Sequence, residues 1–173
     1  MARRLRPVGA GFGEAAPLRV VFAGRTAAGP ADVHRALARD VGSLPRWFRG
    51  VTAARSLPGG GAGRREVRLV GGARFLETVV AVEAPGRYAY RVDVTNVPGP
   101  RAVLEDWRLT PAGSGTLVRW TLAVDAPAPV RRALLLARPA IGAVFRDALR
   151  RLDVRLAARP SVSPANGPSS GTR

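Results

Sequence analysis

Six stretches in the middle of the chain alternate apolar and polar residues with a period of two, at 51–57, 65–70, 74–82, 87–95, 103–110 and 115–124. That period is the signature of strands with one face buried. An earlier apolar run at 18–24, rich in β-branched residues, adds a seventh strand. The joints read PGGGAG, VGG, EAPG, NVPGPR and TPAGSG, so short glycine- and proline-rich turns make neighbouring strands antiparallel. Two regions keep a helical period instead. One runs from Pro30 to Val41, with proline and Asp32 in its first turn and Val33, Ala36, Leu37 and Val41 at helical spacing. A short turn with Trp47 and Phe48 follows. The other covers 130–158, where Leu134, Ile141, Phe145, Leu149, Leu152 and Leu156 form one stripe. Pro139 predicts a kink there. Strand, two helices, six strands and a long helix make an α+β layout with the helices on one face of the sheet.

Composition adds limits. The 173 residues are 46% hydrophobic, enough for one domain with a real core. There is no cysteine, which excludes disulfides, a thiol nucleophile and cysteine-based metal sites. Net charge is +16, and every basic side chain is arginine. Such a balance attracts anions such as nucleic acid or anionic lipid. The N-terminus is basic but carries no apolar core of a secretory signal, and no run spans a bilayer. A soluble cytoplasmic protein is the expectation. Residues 1–16 are expected to be a flexible basic segment, 17–158 the domain, and 159–173, rich in Pro, Ser and Gly, a disordered tail.

Three stretches carry a resemblance. The first is PADVHRALARDV followed by LPRWFRGV, ending at Val51; the second runs from Glu77 to Tyr90; the third is WRLTPAGSGTLVRW, from Trp107 to Trp120. In order and spacing they resemble the START-like, or SRPBCC, superfamily, and within it the polyketide cyclase/dehydrase and lipid-transport branch. The resemblance covers about 18–158. His34 departs from it, standing where relatives often carry an aromatic residue. It implies a helix-grip fold: a seven-stranded curved antiparallel sheet wrapped around a long C-terminal helix, with a cavity between them for a hydrophobic or amphipathic molecule. It implies no particular chemistry, because members include carriers, sensors and cyclases.

Strand phase predicts the lining. Tyr88, Tyr90, Val92 and Val94 share the inner face of their strand. With a turn centred on Pro85, Val82 faces Tyr88 and Val80 faces Tyr90; Thr78 and Leu76 follow inward, and Glu77 points outward. Val103, Glu105, Trp107 and Leu109 form the next inner row, since the other phase would bury Asp106 and Arg108; Trp120 and Leu122 belong to the last strand's inner face. The expected ligand-binding set is therefore Thr78, Val80, Tyr88, Tyr90, Val92, Glu105, Trp107, Trp120 and Leu122, facing Ile141, Phe145 and Leu152 of the long helix.

Glu105 stands out as a carboxylate in an apolar row. Burial would raise its pKa, which is how a general acid or base is tuned, so it is the candidate catalytic group. The same side chain could orient a ligand, pair with an arginine, or be turned outward by a β-bulge. His34 lies one residue off the apolar stripe of its helix and is expected at a boundary or surface. One histidine and no acidic cluster at ligand spacing argue against a metal. No Ser–His–Asp signature is visible, and the glycine run before Arg64 lacks the lysine of a phosphate loop. The leading expectation is binding of a polyketide- or lipid-like molecule without a cofactor. A cofactor-independent cyclase or aromatase using Glu105 or a tyrosine is the alternative. A third reading uses Arg146, Arg150, Arg151 and Arg155 to contact phosphates. For that reading nucleic acid is disfavoured, because the arginines are scattered and no stacking platform accompanies them; peripheral docking on anionic membrane stays open.

Overall fold

A computed structural model describes residues 2–58 and 63–158. In chain order these form β1 (Arg3–Arg4), α1 (Phe12–Ala15), β2 (Leu18–Thr26), α2 (Pro30–Ala38), α3 (Leu44–Trp47), β3 (Val51–Leu57), β4 (Arg64–Leu69), β5 (Arg74–Glu83), β6 (Arg87–Thr95), β7 (Ala102–Ala112), β8 (Gly115–Asp125) and α4 (Ala128–Ala157). Seven strands pair in the order β2-β8-β7-β6-β5-β4-β3, all antiparallel. Five of the six neighbouring pairs are joined by hairpins; β2 instead reaches β8 across the whole length of the fold. The two helices after β2 and the long α4 cover the inner face, as the helix-grip reading expects.

The core follows from the strand phases. Leu18, Val20 and Phe22 of β2, Val118, Trp120 and Val124 of β8, and Val103, Trp107 and Leu109 of β7 are buried with Val33, Ala36 and Leu37 of α2. Helix α2 stops at Ala38, earlier than its apolar pattern suggests; Val41–Ser43 is a separate 3-10 turn that still buries Val41.

Residues 2–16 lie against the sheet: β1 pairs with β6 at Thr95 and Val94, past the point where β7 ceases to pair with it. Leu5 and Val8 are buried. Phe12 and Ala16 pack with Val8 against Ala102, Leu104 and Ala123 on the outer face of the sheet. That face carries its own apolar patch, and the N-terminal segment covers it. Residues 159–173, expected to be a tail, lie outside the described residues.

Helix α4 is held unevenly. Its second half buries Phe145, Ala148, Leu149 and Leu152. Asp153 accepts hydrogen bonds from the Thr26 hydroxyl and from the backbone N–H of Ala27 at 3.0 Å and Ala28 at 3.3 Å. Arg155 donates to Asp40 at 2.8 Å. At Gly24 the helix lies so close to β2 that a Cβ would come within 2.6 Å of the Leu149 side chain. The first half is more open, with Leu135 50% and Leu136 83% exposed. The helix runs on through Pro139, which removes one backbone donor near the middle.

Candidate functional site

The inner face reads as a lattice of cross-strand rows. One row is Val82, Tyr88, Trp107, Trp120 and Phe22; the next is Val79, Tyr90, Glu105, Leu122 and Val20. Regular pairing between β6, β7 and β8 sets these phases, so Tyr88, Tyr90, Glu105, Trp107, Trp120 and Leu122 meet as their alternation predicts.

Strand β5 departs from simple alternation. One extra residue, Val80, bulges between Val79 and Ala81, and a second irregularity sits on β6 at Asp93. Each bulge reverses the phase. As a result Thr78 lies on the outer face, where its hydroxyl donates to Asp93, and Val80 packs in the outer patch with Val8 and Leu104. Neither lines the inner face. Glu77, expected outside, is buried inside opposite Val92. Phe75 and Thr95 take the inner places expected for Leu76 and Val94.

Glu77 has a partner that strand phase also places inside. Arg65 shares the inner face of β4 with Val67, and both are buried. Its Nε donates to the Glu77 carboxylate. Its guanidinium lies 3.6 Å from the centre of the Tyr90 ring and 5.4 Å from that of Tyr88, a stacked cation–π contact. The Tyr90 hydroxyl donates to Glu105. Trp107 Nε1 donates to the Tyr90 oxygen at 3.2 Å, and Trp120 Nε1 to Glu105 Oε2 at 2.9 Å. A continuous polar chain, Glu77–Arg65–Tyr90–Glu105–Trp120, thus crosses an otherwise apolar surface.

Burial governs the acid–base character of this chain. It raises Glu77 from an ordinary value of 4.5 to about 7, against the opposing charge of Arg65. It raises Glu105 as well, although Tyr90 and Trp120 both donate to the carboxylate. Burial alone would lower Arg65, but the charge of Glu77 and the tyrosines outweigh it, and Arg65 is raised. Both tyrosines are raised, chiefly by burial, so the chain holds neutral hydroxyls beside two carboxyls able to keep or give a proton.

The expected wall is partly filled by itself. Trp107 and Trp120 stack at 5.2 Å with their planes 15° apart. Phe22 lies 5.2 Å from Trp120, and Phe145 of α4 lies 6.0 and 5.8 Å from the two indoles. These rings, with Leu152, pack as core. Space remains on either side of them. Glu105, Leu122 and Ile141 are only half-buried. At the other corner a cleft of about 210 Å³ opens between α2, β3, β4 and β5, lined among others by His34, Ser56, Arg65, Val79 and Tyr88.

His34 is not at the surface as its helical position suggests. It is 5% exposed and sits edge-on to Tyr88, with ring centres 6.3 Å apart. Burial lowers its pKa, favouring the neutral ring, while the backbone of Arg87 hydrogen-bonds to it. Its Nε2 is buried with no protein partner. A lone imidazole nitrogen at a cleft wall is a group for a bound molecule or water to satisfy. Among the described residues no group of His, Asp and Glu is placed to hold a metal ion, and no helix is long and apolar enough to cross a membrane.

The motif carried by the last hairpin has a structural cause. A Cβ at Gly115 would fall 2.1 Å from the Thr26 carbonyl oxygen, and Thr116 donates to the Ala28 carbonyl at 2.7 Å. Glycine and threonine there let β8 close against the turn after β2.

Comparison with known proteins follows this geometry. An uncharacterised protein of Mycobacterium tuberculosis is 31% identical over 158 residues, covering 87% of this chain and 94% of that protein. A protein of Rhodobacter sphaeroides has a similar structure, with a TM-score of 0.62 and 26% identity over 81% of this chain and 93% of the other. A START superfamily protein from Mycobacterium smegmatis shares the fold, with a TM-score of 0.62 at 14% identity, over 80% of this chain and 97% of its own. The family model described as polyketide cyclase/dehydrase and lipid transport matches residues 20–157, from within β2 to the end of α4, and it is to that family that the chain belongs.

Proposed function

We propose that the protein binds a hydrophobic or amphipathic small molecule, of polyketide or lipid type, against the inner face of its sheet. The observation that carries this reading is the polar chain through Arg65, Tyr90 and Glu105 in an apolar surface. Apolar walls with a few fixed polar groups suit a ligand with a long apolar body and one oxygenated end. Half-buried Leu122 and Ile141 offer contacts to the body; Glu105 on one side, and Arg65 with His34 on the other, offer contacts to the oxygens. Native mass spectrometry of the protein purified from its own host tests the reading. A bound small molecule at one per chain is the expected result. A ligand-free protein that also fails to quench its tryptophans with long-chain fatty acids or aromatic polyketides would overturn it.

A second reading, cofactor-independent cyclisation or dehydration of a polyketide, draws on the raised pKa of Glu105 and its bond to Tyr90. A carboxyl that burial makes hold its proton more tightly can give and take a proton during aldol closure. Glu105→Gln should then abolish turnover and leave ligand binding within a fewfold; equal turnover in the variant removes Glu105 from the chemistry.

A further inference from the structure

The outer face of the sheet carries a second cleft that the ligand site does not use. It has a volume of about 300 Å³ and lies between the Ala10–Glu14 stretch of the N-terminal segment and strands β2, β6, β7 and β8. Four arginines line it: Arg19, Arg87, Arg108 and Arg119. Three stand in one cross-strand row, Arg87 opposite Arg108 and Arg108 opposite Arg119. Like charges directly opposite each other weaken strand pairing, so this row needs counter-charge.

The protein supplies only part of it. Asp106 is buried between two of the arginines, accepting from Arg87 at 3.0 and 3.2 Å and from Arg108 at 3.3 Å. Arg87 also reaches Glu83. Among the described residues Arg19 and Arg119 make no ion pair, and Glu14, the other acid of the lining, makes none either. Four positive charges therefore face three negative ones, counting Glu83 beyond the lining, and the guanidinium groups of Arg19 and Arg119, both exposed residues, have all their donors free at the open cleft.

We propose that this cleft binds a multiply charged phosphoryl anion. Planar guanidinium groups grip phosphate oxygens through paired hydrogen bonds, and such charge-assisted bonds are the stronger class. The volume sits at the small end of the usual ligand range, ~300–1,000 Å³, and suits a diphosphate rather than a long apolar chain. The sheet itself separates this site from the inner face, so the two can be filled independently.

Calorimetric titration of inorganic pyrophosphate into the full chain at low ionic strength tests the proposal. One-to-one binding is expected. Arg119→Ala and Arg19→Ala should each weaken it by about tenfold or more, the loss of one charge-assisted contact. Glu14→Gln should strengthen it, and Arg132→Ala, on the exposed side of α4, should leave it unchanged. No measurable binding overturns the proposal. So does equal weakening by Arg132→Ala, which would mean diffuse attraction to a cationic surface. Thermal melts of each variant separate loss of the site from loss of the fold. Competition then identifies the source of the phosphoryl group: displacement of pyrophosphate by phosphatidic acid vesicles, with the same arginine dependence, assigns a lipid headgroup, and persistence of pyrophosphate assigns a soluble anion.

Discussion

Replacing Glu77 with glutamine sets two large effects against each other. Glu77 and Arg65 are 3% and 4% exposed and directly bonded. Breaking a buried ion pair by removing one charge commonly costs about 3–5 kcal/mol. Burial, however, raises Glu77 from 4.5 to about 7 even with Arg65 beside it, so the folded protein accommodates the ionised form less well than water does. The folded chain then holds more protons than the unfolded one between these values, and stability falls as pH rises through that window. At about 1.36 kcal/mol per pH unit, the loss is about 3 kcal/mol, complete above neutral pH and absent below 4.5. Glutamine mimics the protonated acid and still accepts from Arg65 Nε, while the Tyr90 ring continues to support the guanidinium. The variant should match the wild type near pH 4.5 and exceed it by about 3 kcal/mol at pH 8. Urea unfolding from pH 5 to 8, read by circular dichroism, measures the difference. Repeating it in a Glu105→Gln background removes the influence of the neighbouring carboxyl. A variant that is less stable at pH 8 than at pH 5, relative to wild type, would refute the reasoning and show that ion pairing outweighs desolvation.

Three further outcomes follow from the packing. Phe145→Ala should cost about 3–5 kcal/mol in the same unfolding assay, since the ring fills the space between Phe22, Trp107 and Trp120. Gly115→Ala should lower stability by about 1–3 kcal/mol or more, because its Cβ meets backbone rather than a movable side chain; a neutral result would mean that β8 can slide away from Thr26. Leu136→Glu should reduce co-sedimentation with anionic phosphatidylglycerol vesicles without lowering the melting temperature. Leu136 is 83% exposed, and the stretch from Ala126 to Arg146 carries four arginines and no acid; equal sedimentation of variant and wild type would exclude this face.

The fold was readable from the sequence because the period changes from 3.6 to two and back again, with turn residues at each joint. The inner rows of β6, β7 and β8 were readable for the same reason, since those strands pair without interruption over the site. Strand β5 was not. Val79, Val80 and Val82 are apolar on both parities, so nothing local marks which valine bulges, and one inserted residue exchanges Thr78 for Glu77. Arg65 had a signal, its shared phase with Val67, but a buried arginine is expected only where a carboxylate awaits it. That carboxylate had been assigned to the other face. His34 follows from the wide buried face of α2, which takes in Val33 and His34 together. The covering of the outer face by residues 2–16 was hinted at by Val103-Leu104, where both parities are apolar.

Helix α4 is anchored at one end only. Asp153 and Arg155 tie its last turns to the loops after β2 and α2, while Leu135 and Leu136 near its start rest largely in solvent. Pro139 leaves the carbonyl four residues earlier without its usual donor, at the boundary between the two regimes. The first three turns can therefore separate from the sheet at the cost of a few half-buried contacts, chiefly Val130 and Leu134, while the Phe145–Leu152 packing stays closed. Amide exchange should expose this as two populations within one helix. Protons before Pro139 would exchange by local opening that denaturant barely accelerates, and those after it only when the whole domain unfolds. The entrance to the sheet's inner face is then a matter of fraying one end of a helix, with no need for the domain to come apart.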